Sequence, residues 1–360
     1  AAVGTYRVEA ATVSITQADG EQVPALLRRP VGADGPTPGV VFLHGAGTHG
    51  VDGFSDQAEA LSSAGAATLV PAKPMEDYSL TSRDYRAMAA DYQRSVDYLI
   101  ALDGVDAARV GLYAESEGAI PGAVLTAVDE RIAFLVMASA PVVRLREQMA
   151  LAMDSYMRNV GVPEPMLVLI PRLLGSAQVP GGGFEYADFD SVPYLERITV
   201  PVLMVYGTND MSMPMVQAPL TLRRDLEKAG NTALTVRYYK GASHGLKVGK
   251  VLLIPPMQDV SDWVNGLPST AHAKPRVAGA RPVQAYMGGK VAPAPKLASG
   301  MSIVLIVATG LLLVSSAGLL SLAGMLRRRG RRLIDLRGCG RWLHSASAGI
   351  CLACVVFVAY

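Results

Sequence analysis

Six short apolar runs constrain this chain more than any other feature: Gly39–Leu43, Ala67–Val70, Val110–Ala114, Phe134–Met137, Val202–Tyr206 and Ala233–Tyr239. Continuous runs of this kind suit strands buried on both faces of a parallel sheet. Helical patterns separate them, notably Arg83–Ala101, where Met88, Tyr92, Val96 and Leu99 share one face. Strands alternating with helices predict an α/β sheet with right-handed crossovers. Ahead of them, Tyr6–Thr16 and Gln22–Arg29 alternate apolar and polar residues around Ala18-Asp19-Gly20, a hairpin signal. Ligands of such sheets bind beyond the carboxyl ends of the strands, so the chemistry is sought there.

Four strand ends carry polar tetrads. His44-Gly45-Ala46-Gly47 follows Leu43, Glu115-Ser116-Glu117-Gly118 follows Ala114, and Gly207-Thr208-Asn209-Asp210 follows Tyr206. Gly241-Ala242-Ser243-His244 follows the last run. A loop of oxyanion type, a serine, an acid and a histidine thus arrive in the order Ser…Asp…His. This order and placement resemble the α/β-hydrolase fold over about residues 5–265, and within it the dienelactone hydrolase and prolyl-oligopeptidase-like serine esterases.

The resemblance implies roles residue by residue. Ser116 is the nucleophile, on a sharp turn that needs the small neighbours Ala114, Gly118 and Ala119. His244 is its base, and Asp210 fixes the histidine tautomer. The backbone N–H groups of Ala46 and Glu117 form the oxyanion hole. The elbow departs from G-x-S-x-G, since Ala114 stands at the first glycine, and Pro121 predicts a local kink. Gly241-Ala242-Ser243-His244-Gly245 matches that pattern literally, but only His272 and His344 follow it as bases, so Ser243 is rejected. His44 reads as a structural histidine, His49 as a loop residue near the pocket mouth. Asp188, Asp190 and Asp225 would replace Asp210 only under a different strand assignment. The carboxylates of Glu115 and Glu117 do not activate the serine; near the pocket they would disfavour anionic substrates.

About Pro141 to Arg197, between two runs, is an insertion that the resemblance makes a helical cap. Leu145, Met149, Met153, Tyr156 and Met157 fall at helical spacing in it, a stripe that packs on the core or lines an acyl pocket.

Charge divides the chain. Residues 1–265 hold 21 Lys and Arg against 30 Asp and Glu, a net −9, whereas residues 266–360 hold 12 against 1, a net +11. The acidic part lacks the clustered basic residues of a nucleic-acid binder. Leu267 to Gly300 is Pro/Ala/Gly-rich, and an extended linker is expected over 266–300. Ser302 to Leu326 then runs 25 residues without a charge, long enough for a transmembrane helix over 301–326. Arg327, Arg328, Arg329, Arg331 and Arg332 follow, which predicts a basic cytoplasmic segment over 327–349 and a large domain outside the cytoplasmic membrane. Residues 350–360 read as an interfacial segment or the start of a second crossing. All three cysteines lie in this tail, so the large domain folds without disulfides; Cys351-Leu-Ala-Cys354 reads as chance pairing.

The expectation is a membrane-anchored, extracytoplasmic serine hydrolase, a carboxylesterase acting on small or medium neutral esters. It requires no cofactor or metal, binds no nucleic acid and meets the lipid bilayer through its tail helix. A peptidase or acyltransferase with the same triad, or a non-catalytic receptor or scaffold, are the alternatives.

Overall fold

A computed structural model describes residues 2–73, 75–76, 78–170, 184–289, 291, 305, 308–312 and 315–316. The chain forms two compact units, one of Ala1–Asn159 with Glu185–Gly289, the other of Val160–Phe184 with Lys290–Tyr360.

The first unit holds β1 (Arg7–Thr16), β2 (Gln22–Val31), β3 (Thr37–Leu43), β4 (Ala67–Pro71), β5 (Val105–Glu115), β6 (Leu135–Ala138), β7 (Val202–Gly207), β8 (Leu234–Tyr239), β9 (Lys247–Val248), β10 (Val251–Leu252) and β11 (Val277–Gly279). Nine of these form one sheet in the order β1-β2-β4-β3-β5-β6-β7-β8-β11, while β9 and β10 pair separately. β1 and β2 form the antiparallel hairpin expected around Asp19-Gly20, and β2 runs antiparallel to β4. From β4 to β11 every pairing is parallel.

The apolar runs are continuous because alternate residues serve two cores. Val41, Leu43, Leu112, Ala114, Leu135, Met137, Met204 and Tyr206 enter one apolar cluster. Val40, Phe42, Tyr113, Val136, Ala138, Leu203 and Val205 enter the other. The first is covered by α2 (Tyr85–Ile100), α3 (Ala119–Val128) and a later helix, Gln217–Lys228. The second is covered by α1 (Ser55–Ser63) and the helix Ile254–Asn265. α2 is the amphipathic helix expected from the sequence: Met88, Tyr92, Val96 and Leu99 are buried. Its N-cap Asp84 accepts hydrogen bonds from the N–H groups of Arg86 (2.8 Å) and Ala87 (3.1 Å), satisfying two donors of the first turn.

In the inserted region the helix α4 (Leu145–Asn159) forms, and its buried residues are Leu145, Ala150, Leu151 and Asp154. Of the stripe expected to pack or to line a pocket, Leu145 is buried, while Met149, Met153 and Tyr156 are 42, 46 and 48% exposed. Within the described part of the proline-rich segment, Val277–Gly279 form a strand. The first unit continues to Gly289 because β11 adds to the edge of the sheet beside β8. Gln284 Oε1 then accepts from the N–H groups of Val216 (2.8 Å) and Gln217 (3.2 Å), capping the helix at Gln217.

In the second unit a short helix, α5 (Glu164–Leu167), is described, and residues 305, 308–312 and 315–316 are helical. No helix among the described residues is long and apolar enough to cross a membrane. Most of the run 302–326, and all of 327–360, lie outside the described residues, and with them most of the expected transmembrane helix, the basic segment and the second apolar stretch.

Candidate active site

β5 ends at Glu115, and a 3₁₀ turn over Ser116–Gly118 leads directly into α3. Ser116 takes φ +57°, in the left-handed region. For a residue with a Cβ this costs of order 1–3 kcal/mol and persists only where the surroundings hold it. Those surroundings are small. A Cβ on Gly118 would meet the carbonyl oxygens of Leu43 at 2.5 Å and His44 at 2.7 Å, and one on Gly45 would meet Ser116 Cβ at 2.9 Å. Gly122 leaves a similar gap against Ala114, where a Cβ would lie 3.0 Å from Ala114 Cβ. Alanine at the elbow's first position therefore fits. The 3₁₀-to-α junction puts Pro121 in the first turn of α3, where its missing N–H breaks no intrahelical bond.

His244 follows the turn after β8. Its Nδ1 lies 2.9 Å from Asp210 Oδ2, just beyond β7. The Asp210 side chain is fully buried, and its Oδ1 accepts from the Ser212 N–H at 2.9 Å. A carboxylate only accepts, so Nδ1 carries the proton and Nε2 presents a lone pair. Burial lowers the His244 pKa, but the hydrogen bond and charge of Asp210 and the charge of Glu115 outweigh it, leaving it raised above 6.5. Glu115 is buried, its Oε1 would lie 3.6 Å from a Cβ on Gly245, and its Oε2 has no hydrogen-bond partner. Burial pushes its carboxyl pKa up against the pull of His244 and Lys247.

Ser243 has neither the geometry nor the freedom of a nucleophile. Its backbone is extended, and both its hydroxyl (2.9 Å) and its N–H (2.7 Å) donate to the carbonyl of Lys247. The alternative acids lie elsewhere in ion pairs: Asp188 with Arg146, Asp190 with Arg144, and Asp225 with Arg224.

The loop after β3 brings Gly45 alongside the serine, and its hypothetical Cβ would stand 3.5 Å from Ser116 Oγ. The Ala46 N–H makes no hydrogen bond among the described residues, and the Glu117 N–H sits in a first turn, where none has an intrahelical acceptor. His44 holds this loop. Its Nε2 donates to Pro71 O (2.9 Å), so Nδ1 accepts from Thr48 Oγ1 (3.1 Å). Burial, with the charge of Lys73, brings its pKa down to about 4; it is a neutral structural histidine.

Glu117 is not an open carboxylate at a pocket mouth. It is buried, pairs with Arg83 at 2.5 Å, and accepts from the hydroxyls of Tyr85 (2.5 Å) and Tyr78 (3.0 Å). Its charge is met inside the protein, which removes most of the basis for expecting anions to be repelled. Arg83, Tyr78, Tyr85 and the buried Lys73 are site residues that the sequence reading missed. Lys73 and Tyr78 follow the carboxyl end of β4, the strand end to which the ligand rule was not applied.

The family model described as BAAT / Acyl-CoA thioester hydrolase C terminal matches residues 91–251, a span containing Ser116, Asp210 and His244. A search of the curated proteins finds no match. Among solved structures, a hyperthermophilic esterase from the archaeon Pyrobaculum calidifontis aligns at 17% identity over 73% of this chain and 84% of its own, with a TM-score of 0.52. A hypothetical protein of Pseudomonas aeruginosa aligns at 16% identity over 72% and 94%, with a TM-score of 0.52. An acetyl xylan esterase from Paenibacillus sp. R4 aligns at 17% identity over 72% and 84%, with a TM-score of 0.50. The fold is that of the α/β-hydrolases. This agrees with the strand order and with the sharp turn after β5.

Proposed function

We propose that the protein is a serine hydrolase acting on carboxylic esters through Ser116, His244 and Asp210. The observation that carries this reading is the hydrogen bond from His244 to the buried Asp210 at the same sheet rim as a serine held at φ +57°. Ser116 Oγ attacks the ester carbonyl while His244 Nε2 takes its proton, and Asp210 stabilises the imidazolium. The Ala46 and Glu117 N–H groups receive the oxyanion, each donor typically worth about 3 kcal/mol of barrier. His244 returns the proton to the departing alkoxide, and water, deprotonated in turn by His244, releases the acid from Ser116.

The family match favours a second reading of the same site, in which the leaving group is a thiol and the substrate an acyl thioester. We further propose that residues 302–326 anchor the chain in a membrane with the hydrolase unit outside the cytoplasm, on the strength of the uncharged run and the arginines after it. Fluorophosphonate labelling tests the nucleophile: Ser116→Ala loses labelling and hydrolysis, while Ser243→Ala keeps both. Labelling that survives in Ser116→Ala defeats the assignment. A panel of oxygen esters and thioesters of matched acyl length separates the two substrate readings.

A further inference from the structure

We infer that Lys73 is a positioning residue of the oxyanion hole, holding the peptide that joins Gly45 to Ala46 through a hydrogen bond from its ammonium to the Gly45 carbonyl. This rests on the proposed role of the Ala46 N–H. Lys73 Nζ lies 2.9 Å from Gly45 O, and the side chain is buried. The Lys73 N–H also donates to His49 O at 2.8 Å, so one residue ties the loop at two points.

The physical argument is about a single peptide unit. Gly45 C=O and Ala46 N–H belong to the same planar trans peptide, so they point in opposite directions. Fixing the carbonyl on Lys73 therefore fixes the N–H on the other side. The hydrogen bond to the carbonyl also draws electron density from the amide, making its N–H a stronger donor, the usual cooperativity of linked hydrogen bonds. The loop needs such a fastening. Gly45 has no side chain to anchor it, because a Cβ there would strike Ser116.

The groups facing Lys73 are Tyr78, Glu117, Arg83 and the His44 ring. The ammonium sits 3.3 Å over the Tyr78 ring centroid, a cation–π contact that leaves its N–H groups free to donate elsewhere. Burial lowers the Lys73 pKa, Glu117 opposes this and Arg83 adds to it, leaving a value of about 8. His44 is neutral at that pH. The ammonium charge that faces the Gly45 carbonyl is thus lost on mild alkalinisation.

Activity and stability then move in opposite directions. The folded protein releases the Lys73 proton near pH 8, while an unfolded chain keeps it to about 10.4. Between these values the unfolded state binds more protons, so Lys73 makes the folded state more stable as pH rises. Over the same window the oxyanion donor loosens and kcat falls. A merely structural lysine would leave kcat flat.

The experiment is ester hydrolysis by the full chain from pH 6 to 10, on the wild type, Lys73→Met, Lys73→Arg and Ser116→Ala. Ser116→Ala must abolish turnover, or the underlying reading of the site is wrong whatever Lys73 does. With that control in place, wild-type kcat shows an alkaline limb near pH 8. Lys73→Met lowers kcat at pH 7 about 10- to 100-fold, less than the loss of a whole oxyanion donor. Its KM changes little, its alkaline limb disappears, and its stability no longer rises with pH relative to wild type. Lys73→Arg keeps its charge and carries activity unbroken to pH 10. Lys73→Met with wild-type kcat and an intact alkaline limb overturns the inference. If Lys73→Met does not fold, the wild type and Lys73→Arg decide: superimposable profiles, with or without a limb, overturn it equally.

Discussion

Removing Arg83 should strand the Glu117 carboxylate in a buried site. The two side chains are 12 and 4% exposed and 2.5 Å apart, so water can replace little of what the guanidinium provides. Breaking a buried pair by deleting one partner costs about 3–5 kcal/mol. The Tyr78 and Tyr85 hydroxyls still donate to Glu117 in Arg83→Met, which places the loss at the lower end, about 3 kcal/mol. The thioether stem keeps part of the packing that the guanidinium makes on the Tyr78 and Tyr186 rings. For a unit of this size each kcal/mol moves Tm by about 2–4 °C, so thermal unfolding should fall by about 6–12 °C. In Arg83→Met with Glu117→Gln the stranded charge is gone, and most of the loss should be recovered. The double variant retains the backbone N–H at position 117, so its kcat/KM toward a neutral ester should stay within about threefold of wild type, under 1 kcal/mol of barrier. A drop below 2 °C in Arg83→Met, or a double variant no more stable than the single one, refutes the buried-pair reasoning. Full stability with lost activity would instead show that the Glu117 side chain takes part in the chemistry.

The raised pKa of His244 places the acid limb of kcat/KM above pH 6.5, because the imidazole must be neutral to take the Ser116 proton; Glu115→Gln removes one charge that raises it and should move that limb to lower pH. Limbs that superimpose in the pH–rate profiles would show that Glu115 does not act on His244. Met153→Ala should change stability by no more than about 0.5 kcal/mol, as for an exposed residue, and a denaturation midpoint shifted as for a core methionine would contradict the exposed face of α4. Protease added to intact cells should cut the chain between the hydrolase unit and residue 302 and release an active fragment; protection until lysis would reverse the proposed topology.

The fold was legible because its strands carry a doubled signal. Val40 and Val41, or Met204 and Val205, face different cores, so both must be apolar and the run stands out without alternation. The elbow was legible for a related reason: Gly118 sits against the Leu43 and His44 carbonyls, where no side chain fits. α4 misled because burial is not uniform along its apolar stripe. Met149, Met153 and Tyr156 are exposed, whereas Leu145, at the start of the same stripe, is buried along with Ala150, Leu151 and Asp154. Spacing finds a stripe of apolar residues; it does not say which part of it is covered. The edge strand Val277–Gly279 was hidden by prolines, which a sheet edge tolerates because one side of an edge strand makes no ladder bonds.

The charged residues around the site were the least legible, for a physical reason. Glu117, Arg83 and Lys73 look in sequence like ordinary surface charges, and Lys73 and Glu117 lie 44 positions apart. Their meaning comes from burial, which turns each into an obligation: a buried carboxylate must be neutralised, and a buried ammonium must donate. Glu117 meets its obligation through Arg83 and two tyrosines, and Lys73 meets its own through the Gly45 carbonyl. Both solutions close on the two peptides proposed to bind the oxyanion, one just after the nucleophile and one on the loop opposite. A charged residue two or three places beyond a buried strand of such a sheet is therefore better read first as part of the site's framework than as a solvated loop residue.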